Sequence, residues 1–158
     1  MIKELFSEDV VDITMFLKEK KVGKAGDYII NYDYVLEQFN ARAIRKSFFD
    51  DELVAYAQVD DDEEIQDLIL VDIKGEDNFN FCNISLCNFD NIELMNYMLE
   101  NIWERRKNLL KVKFVINGKS LTEETKQHLL DIGFENEICL RKCDDEDKSI
   151  YVFSFFKK

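Results

Sequence analysis

The chain has 158 residues, 46% hydrophobic and 13% aromatic, which suffices to bury one core but leaves no room for a second, so one domain over residues 1–158 is expected. Its 33 acidic against 21 basic side chains give a net charge of −12. That balance argues against a nucleic-acid or anionic-membrane surface, both of which need clustered Lys and Arg. No run of about 18 apolar residues is present, so no membrane-spanning helix is expected; the opening MIKELFSEDVVDI lacks the layout of a signal peptide, which points to the cytoplasm.

In chain order, Ser7 to Lys20 reads as a helix, with Ser7 as its cap and Val10, Ile13 and Leu17 at helical spacing. Gly23 and Gly26 break the chain, and Tyr28–Asn40 reads as a short extended piece followed by a second helix. From Ala41 the apolar period is two. Ala43–Phe49 and Leu53–Val59 then form a hairpin around Asp50, Asp51 and Glu52. Asp60–Glu64 is an acidic turn, and Ile65–Ile73 either a further strand or a bent extension of the one before. Lys74–Asn78 turns the chain again, into a strand Phe79–Cys87.

The second half alternates helix and strand. Ile92, Met95, Leu99 and Ile102 share a face of a long helix, Asp90–Asn108. Val112–Ile116 follows as a strand, then a helix from Leu121 to Ile132, capped by Ser120 and stopped by Gly133. Glu135–Arg141 and Ser149–Phe156 close as a strand pair around Asp144–Asp147; of Phe153, Phe155 and Phe156, most are expected in the core and one outside it. This order implies a mixed sheet with helices on its faces. The spacings of Cys82, Cys87, Cys139 and Cys143 do not match zinc knuckles, and the acidic runs fall in turns without a calcium-loop pattern. No metal site is expected, and the cysteines read as small buried hydrophobes on strands.

The order of elements, with Asn117, the helix Leu121–Ile132 and Gly133-Phe134-Glu135, resembles the GNAT superfamily of acyl-CoA N-acyltransferases over nearly the whole chain. The resemblance implies an α/β fold with a mainly antiparallel central sheet and helices on both faces. It also implies that the strand ending near Leu86 runs parallel to Val112–Ile116, with the Asp90–Asn108 helix as crossover. In that family acetyl-CoA lies where two parallel strands splay apart, and its diphosphate meets amides opening the long helix. By that resemblance the cofactor positions are Ile84, Leu86, Asn88, Phe89, Asn91 and Asn117. The family's loop there is R/Q-x-x-G-x-G/A, whereas this chain reads Leu86-Cys87-Asn88-Phe89-Asp90-Asn91. The glycines are replaced, and Asp90 puts negative charge where a diphosphate would arrive.

For proton transfer the resemblance points to a Tyr five residues before the Phe of Gly-Phe. Here that position is Leu129, with His128 beside it. Asp72 and His128 are the catalytic candidates: Asp72 as a base for an amine from within a strand, and His128 as the chain's one histidine. Asp67 lies in the same strand at the other parity, so at most one of the two carboxylates faces a site. Two readings stand side by side. One is an N-acetyltransferase using acetyl-CoA on a basic amine, toward which the acidic surface would steer cations. The other is a GNAT-fold binding or regulatory module without catalysis. Either would take a cationic small molecule or a basic protein surface as partner, acting as a monomer or homodimer.

Overall fold

The structure is a computed structural model that describes residues 1–20, 28–73, 80–140 and 149–157. In chain order it comprises β1 (Ile2–Leu5), α1 (Val10–Glu19), β2 (Ile29–Ile30), α2 (Ala41–Phe49), β3 (Leu53–Val59), β4 (Ile65–Asp72) and β5 (Phe81–Cys87). These are followed by α3 (Ile92–Arg105), β6 (Lys111–Asn117), α4 (Glu123–Ile132), β7 (Glu135–Leu140) and β8 (Ile150–Phe156). The sheet runs β1-β3-β4-β5-β6-β8-β7, with β2 joined to β5. Among the described residues every pairing is antiparallel except β5 with β6. That parallel pair has α3 as its crossover, the connection a parallel pair requires.

Alternation along the strands divides the core between the two faces of the sheet. Ile69 and Val71 of β4, Ile84 of β5 and Phe114 of β6 pack with Leu94, Met95, Met98 and Ile102 of α3 and with Leu129 of α4. Ala55, Ala57, Leu68 and Leu70 face the other way, against Val10, Ile13, Phe16 and Leu17 of α1 and Ile44 of α2. Phe153 is buried and Phe156 exposed, as the imperfect alternation of β8 predicts.

The structure corrects the expectations for Ala43–Phe49, for Tyr28–Asn40 and for two helix caps, and decides Ile65–Ile73 in favour of a separate strand. Ala41–Phe49 is a helix where the period suggested a strand. Asn40 caps it, accepting from the Ala43 N–H at 2.9 Å, and Ala, Arg and Lys are good helix formers. The expected helix over Tyr28–Asn40 is instead β2 and a 3-10 turn at Leu36–Gln38. With α2 in place β4 is a strand of its own, the hairpin partner of β3 across Asp60–Glu64. The expected caps shift as well. Ser7 opens a 3-10 turn in which Asp9 accepts from the Phe6 N–H, and Thr122 rather than Ser120 accepts from the Thr125 N–H at 3.0 Å.

β1 went unforeseen; it pairs with β3 from Ile2↔Gln58 to Leu5↔Ala55. Cys82 and Cys87 are buried on β5 as expected, but Cys139 is exposed on the edge strand β7. The breaks at Gly23 and Gly26, the turns at 74–78 and 144–147, Phe79, Arg141 and Cys143 lie outside the described residues. Among the described residues no helix is long and apolar enough to cross a membrane.

Candidate functional site

Among the described residues β5 and β6 pair through Phe81↔Lys111, Cys82↔Val112 and Asn83↔Lys113. Beyond Asn83 the two strands part, and the chain's own backbone fills the opening. Ile29 and Ile30 of β2 pair antiparallel with Cys87 and Leu86. The Asn31 N–H then donates to the Ser85 carbonyl at 3.0 Å, and the Tyr32 N–H crosses to the Val115 carbonyl of β6 at 2.8 Å. Asn31 is fully buried, and its Nδ2 donates to the Ile84 carbonyl at 2.8 Å.

A tyrosine hydrogen bond to β4 flanks this segment on each side. The Tyr28 hydroxyl donates to Asp67 Oδ1, and the Tyr34 hydroxyl donates to Asp72 Oδ2. Burial first, and the adjoining carboxylate second, push both phenols well above the usual tyrosine range. Asp67 is itself buried; its Oδ1 also takes the Leu68 N–H at 2.9 Å, and its Oδ2 takes Asn91 Nδ2 at 2.7 Å. Asn91 also caps α3, accepting from the Leu94 N–H at 3.0 Å. One carboxylate thus ties β2, β4 and the start of α3 together.

Asp72 has a different outlook. It lies on the α2 side of the sheet, where it lines a cavity of about 190 Å³ with Tyr34, Phe39, Ile44, Ser47 and Glu52. The cavity walls carry two carboxylates, Asp72 and Glu52, and no Lys or Arg among the described residues. Across the β4–β5 ladder Asp72 faces Asn83, whose buried Oδ1 accepts no hydrogen bond among the described residues. Such a site is rich in acceptor oxygens and suits a ligand that brings N–H donors and positive charge.

The other sequence-predicted positions fall elsewhere. Ile84 and Leu86 are fully buried core side chains, and Phe89 is buried edge-on against Phe114, with ring centroids 4.9 Å apart. Asn88 Oδ1 accepts from the Asp90 N–H at 2.9 Å, and Asn117 Oδ1 from the Lys119 N–H at 2.8 Å, so both serve as turn formers. His128 stands beside the opening of α3, its Nδ1 3.0 Å from Asp90 Oδ1. Glu124, one turn earlier on α4, brings three donor atoms within 4.8 Å of one another. The sequence reading did not foresee that meeting, although the i, i+4 spacing of Glu124 and His128 puts them on one helix face. Asp72 and His128 are not brought together, since the first faces α2 and the second the opening of α3.

These placements bear on acetyl-CoA. An acyl carrier lying along β5 needs the free N–H and C=O groups of that strand's edge, and here β2 and Asn31 hold them. At the start of α3, Phe89 is turned into the core and Asp90 opposes a diphosphate. The residues present therefore do not fit the cofactor in this form of the chain.

No family model and no curated protein sequence matches the chain. Solved structures do match. A probable acetyltransferase from Staphylococcus epidermidis superposes with a TM-score of 0.71 at 13% identity, covering 100% of this chain and 99% of that one. The ribosomal-protein-S5-alanine acetyltransferase from Vibrio fischeri gives 0.69 at 11%, covering 98% and 91%. A spermidine N-acetyltransferase variant from Vibrio cholerae gives 0.68 at 13%, covering 99% and 94%. The chain has the fold of the GNAT acetyltransferases, with the predicted mixed sheet between helices.

Proposed function

We propose that this GNAT-fold chain binds an organic amine cation in the cavity beneath α2, with Asp72 and Glu52 as its counter-ions. The observation that carries the reading is the cavity itself, with two carboxylates, the Tyr34 and Phe39 rings and no basic lining residue described. An ammonium group offers N–H donors to the carboxylates, and its methylenes suit the Phe39 and Ile44 side of the wall. The similarity to a spermidine N-acetyltransferase supports an amine over an acid or a neutral sugar. Of the two readings the sequence left open, this one matches the binding module.

Acetyl transfer to the same amine is the second reading, and one observation favours it. Asp72 pairs in register with Asn83, the residue at which β5 and β6 part, so a bound amine would lie next to that opening. There Asp72 would take the proton that an ammonium must lose before it can act as a nucleophile.

Calorimetry with putrescine and spermidine tests the first reading against 1,4-butanediol as the neutral control. The amines should bind, and Asp72→Asn should weaken them at least ~10-fold without changing the melting temperature by more than a few degrees. Equal binding of the diol, or no effect of the substitution, would sink it. Release of free CoA thiol from acetyl-CoA in the presence of a bound amine would establish the second reading.

A further inference from the structure

We propose that Tyr28–Tyr34 is an internal occupant of the β5–β6 opening, kept there by the Tyr28–Asp67 and Tyr34–Asp72 hydrogen bonds, and that an extended ligand reaches the β5 edge only when this segment leaves. The strand edge is a different surface from the cavity wall, although Tyr34 and Asp72 belong to both. A sheet that opens between two parallel strands leaves each with unpaired N–H and C=O groups, and buried groups of that kind are paired in native structures. Here the partners come from within the chain: β2 for Leu86 and Cys87, Asn31 for Ser85 and Ile84, and Tyr32 for Val115.

The pairing is of the type that an added extended peptide or a carrier with in-line amides would make. Asn31 does more than continue a strand, because its side-chain amide supplies a further N–H to the same edge, and its Oδ1 accepts the Asp33 N–H at 3.0 Å. Two residues of regular ladder are a short hold. The two tyrosines supply the rest, one on each side of the segment and each on a β4 carboxylate. Tyr34 and Asp72 also line the α2 cavity, so that latch is exposed to whatever binds there.

Amide hydrogen exchange on the full chain tests the proposal, with pantetheine as the probe ligand, since it carries in-line amides without the diphosphate that Asp90 opposes. In the wild type the Asn31 and Tyr32 amides should be protected and pantetheine should not bind. In a Tyr28→Phe/Tyr34→Phe variant those two amides should exchange at least ~10-fold faster, while the β3–β4 ladder keeps its rates. That variant should also bind pantetheine. If the double variant does not fold, Tyr28→Phe alone is read in the same way. Unchanged exchange at Asn31 and Tyr32 would overturn the latches. Pantetheine binding to the wild type with Tyr32 still protected, or no binding by the opened variant, would overturn the claim that the segment is what excludes an extended ligand. Amine calorimetry is run on the wild-type and Asp72→Asn proteins, and Tyr28 lies outside the cavity lining, so failure here and failure of the amine reading are told apart.

Discussion

A buried phenol donating to a carboxylate stabilises the fold only while it keeps its proton, and Tyr28 and Tyr34 make that dependence measurable. Both are held protonated well above the usual tyrosine range, by burial first and by Asp67 or Asp72 second. In the unfolded chain the same groups lose their protons near pH ~10. A group whose folded pKa is raised contributes fully below its unfolded pKa and loses that contribution as pH rises toward the folded value. Stability should therefore hold up to about pH 10 and then fall by at most about 1.4 kcal/mol per pH unit for each such phenol. Tyr56 shifts the same way, through burial first and then Glu4. Tyr28→Phe should give a shallower alkaline decline than the wild type in urea titrations between about pH 9 and 11. Parallel curves would show that Tyr28 titrates alike in both states. Aspartate parity in β4 was legible from sequence, with Asp67 and Asp72 serving opposite sides. Their phenol partners were not, because a tyrosine in an aromatic cluster carries no sign of which carboxylate its hydroxyl will find.

Among the elements, the legible ones were those whose apolar period was long. Over α3 the expected face of Met95, Leu99 and Ile102, with Met98 beside it, is buried together with Leu94, whereas Ile92, expected on the same face, stays exposed in the first turn. α2 buries Ile44 alone. With so little of its surface fixed by packing, alternation and helical spacing fit nine residues equally well, and the Asn40 cap decided the matter. β2 was illegible for another reason: its role is a matter of backbone edges, which no side-chain pattern marks. The end of α4 was readable because Gly133 is required there by conformation and by space. It has φ 119°, and a Cβ would lie 2.9 Å from Cε2 of Phe155. Phe155 in turn stacks on Trp103 of α3 and lies edge-on to Phe134, so its ring has little freedom to yield. Gly133→Ala should cost about 1–3 kcal/mol in denaturant unfolding. A loss below about 0.5 kcal/mol, the range of ordinary surface changes, would mean that the α4–β7 junction relaxes freely.

For the molecule as a whole, the charge of −12 is arranged as well as excessive. Asp62, Glu63 and Glu64 of the β3–β4 turn meet Asp12 and Glu19 of α1 around a groove floored by Met15, Phe16 and Ile65. Asp60 adds to the same field but also builds the turn, for its Oδ1 takes the Asp62 and Glu64 N–H groups at 2.9 Å each. Neutralising Asp61 and Asp62 therefore tests the field, while changing Asp60 would test the loop as well. A field in which these acidic groups outnumber the neighbouring Lys3 and Lys20 draws cations at a rate that salt reduces, since screening acts within about 10 Å at ~0.1 M ionic strength. Association of spermidine or a Lys-rich peptide should be slower in the Asp61→Asn/Asp62→Asn protein and slower still at high salt, with a smaller change in dissociation. Stopped-flow measurement separates the two rates. Association indifferent to salt and to both substitutions would leave the acidic turn as a solubility device, and would place all recognition of a cation in the Asp72 cavity.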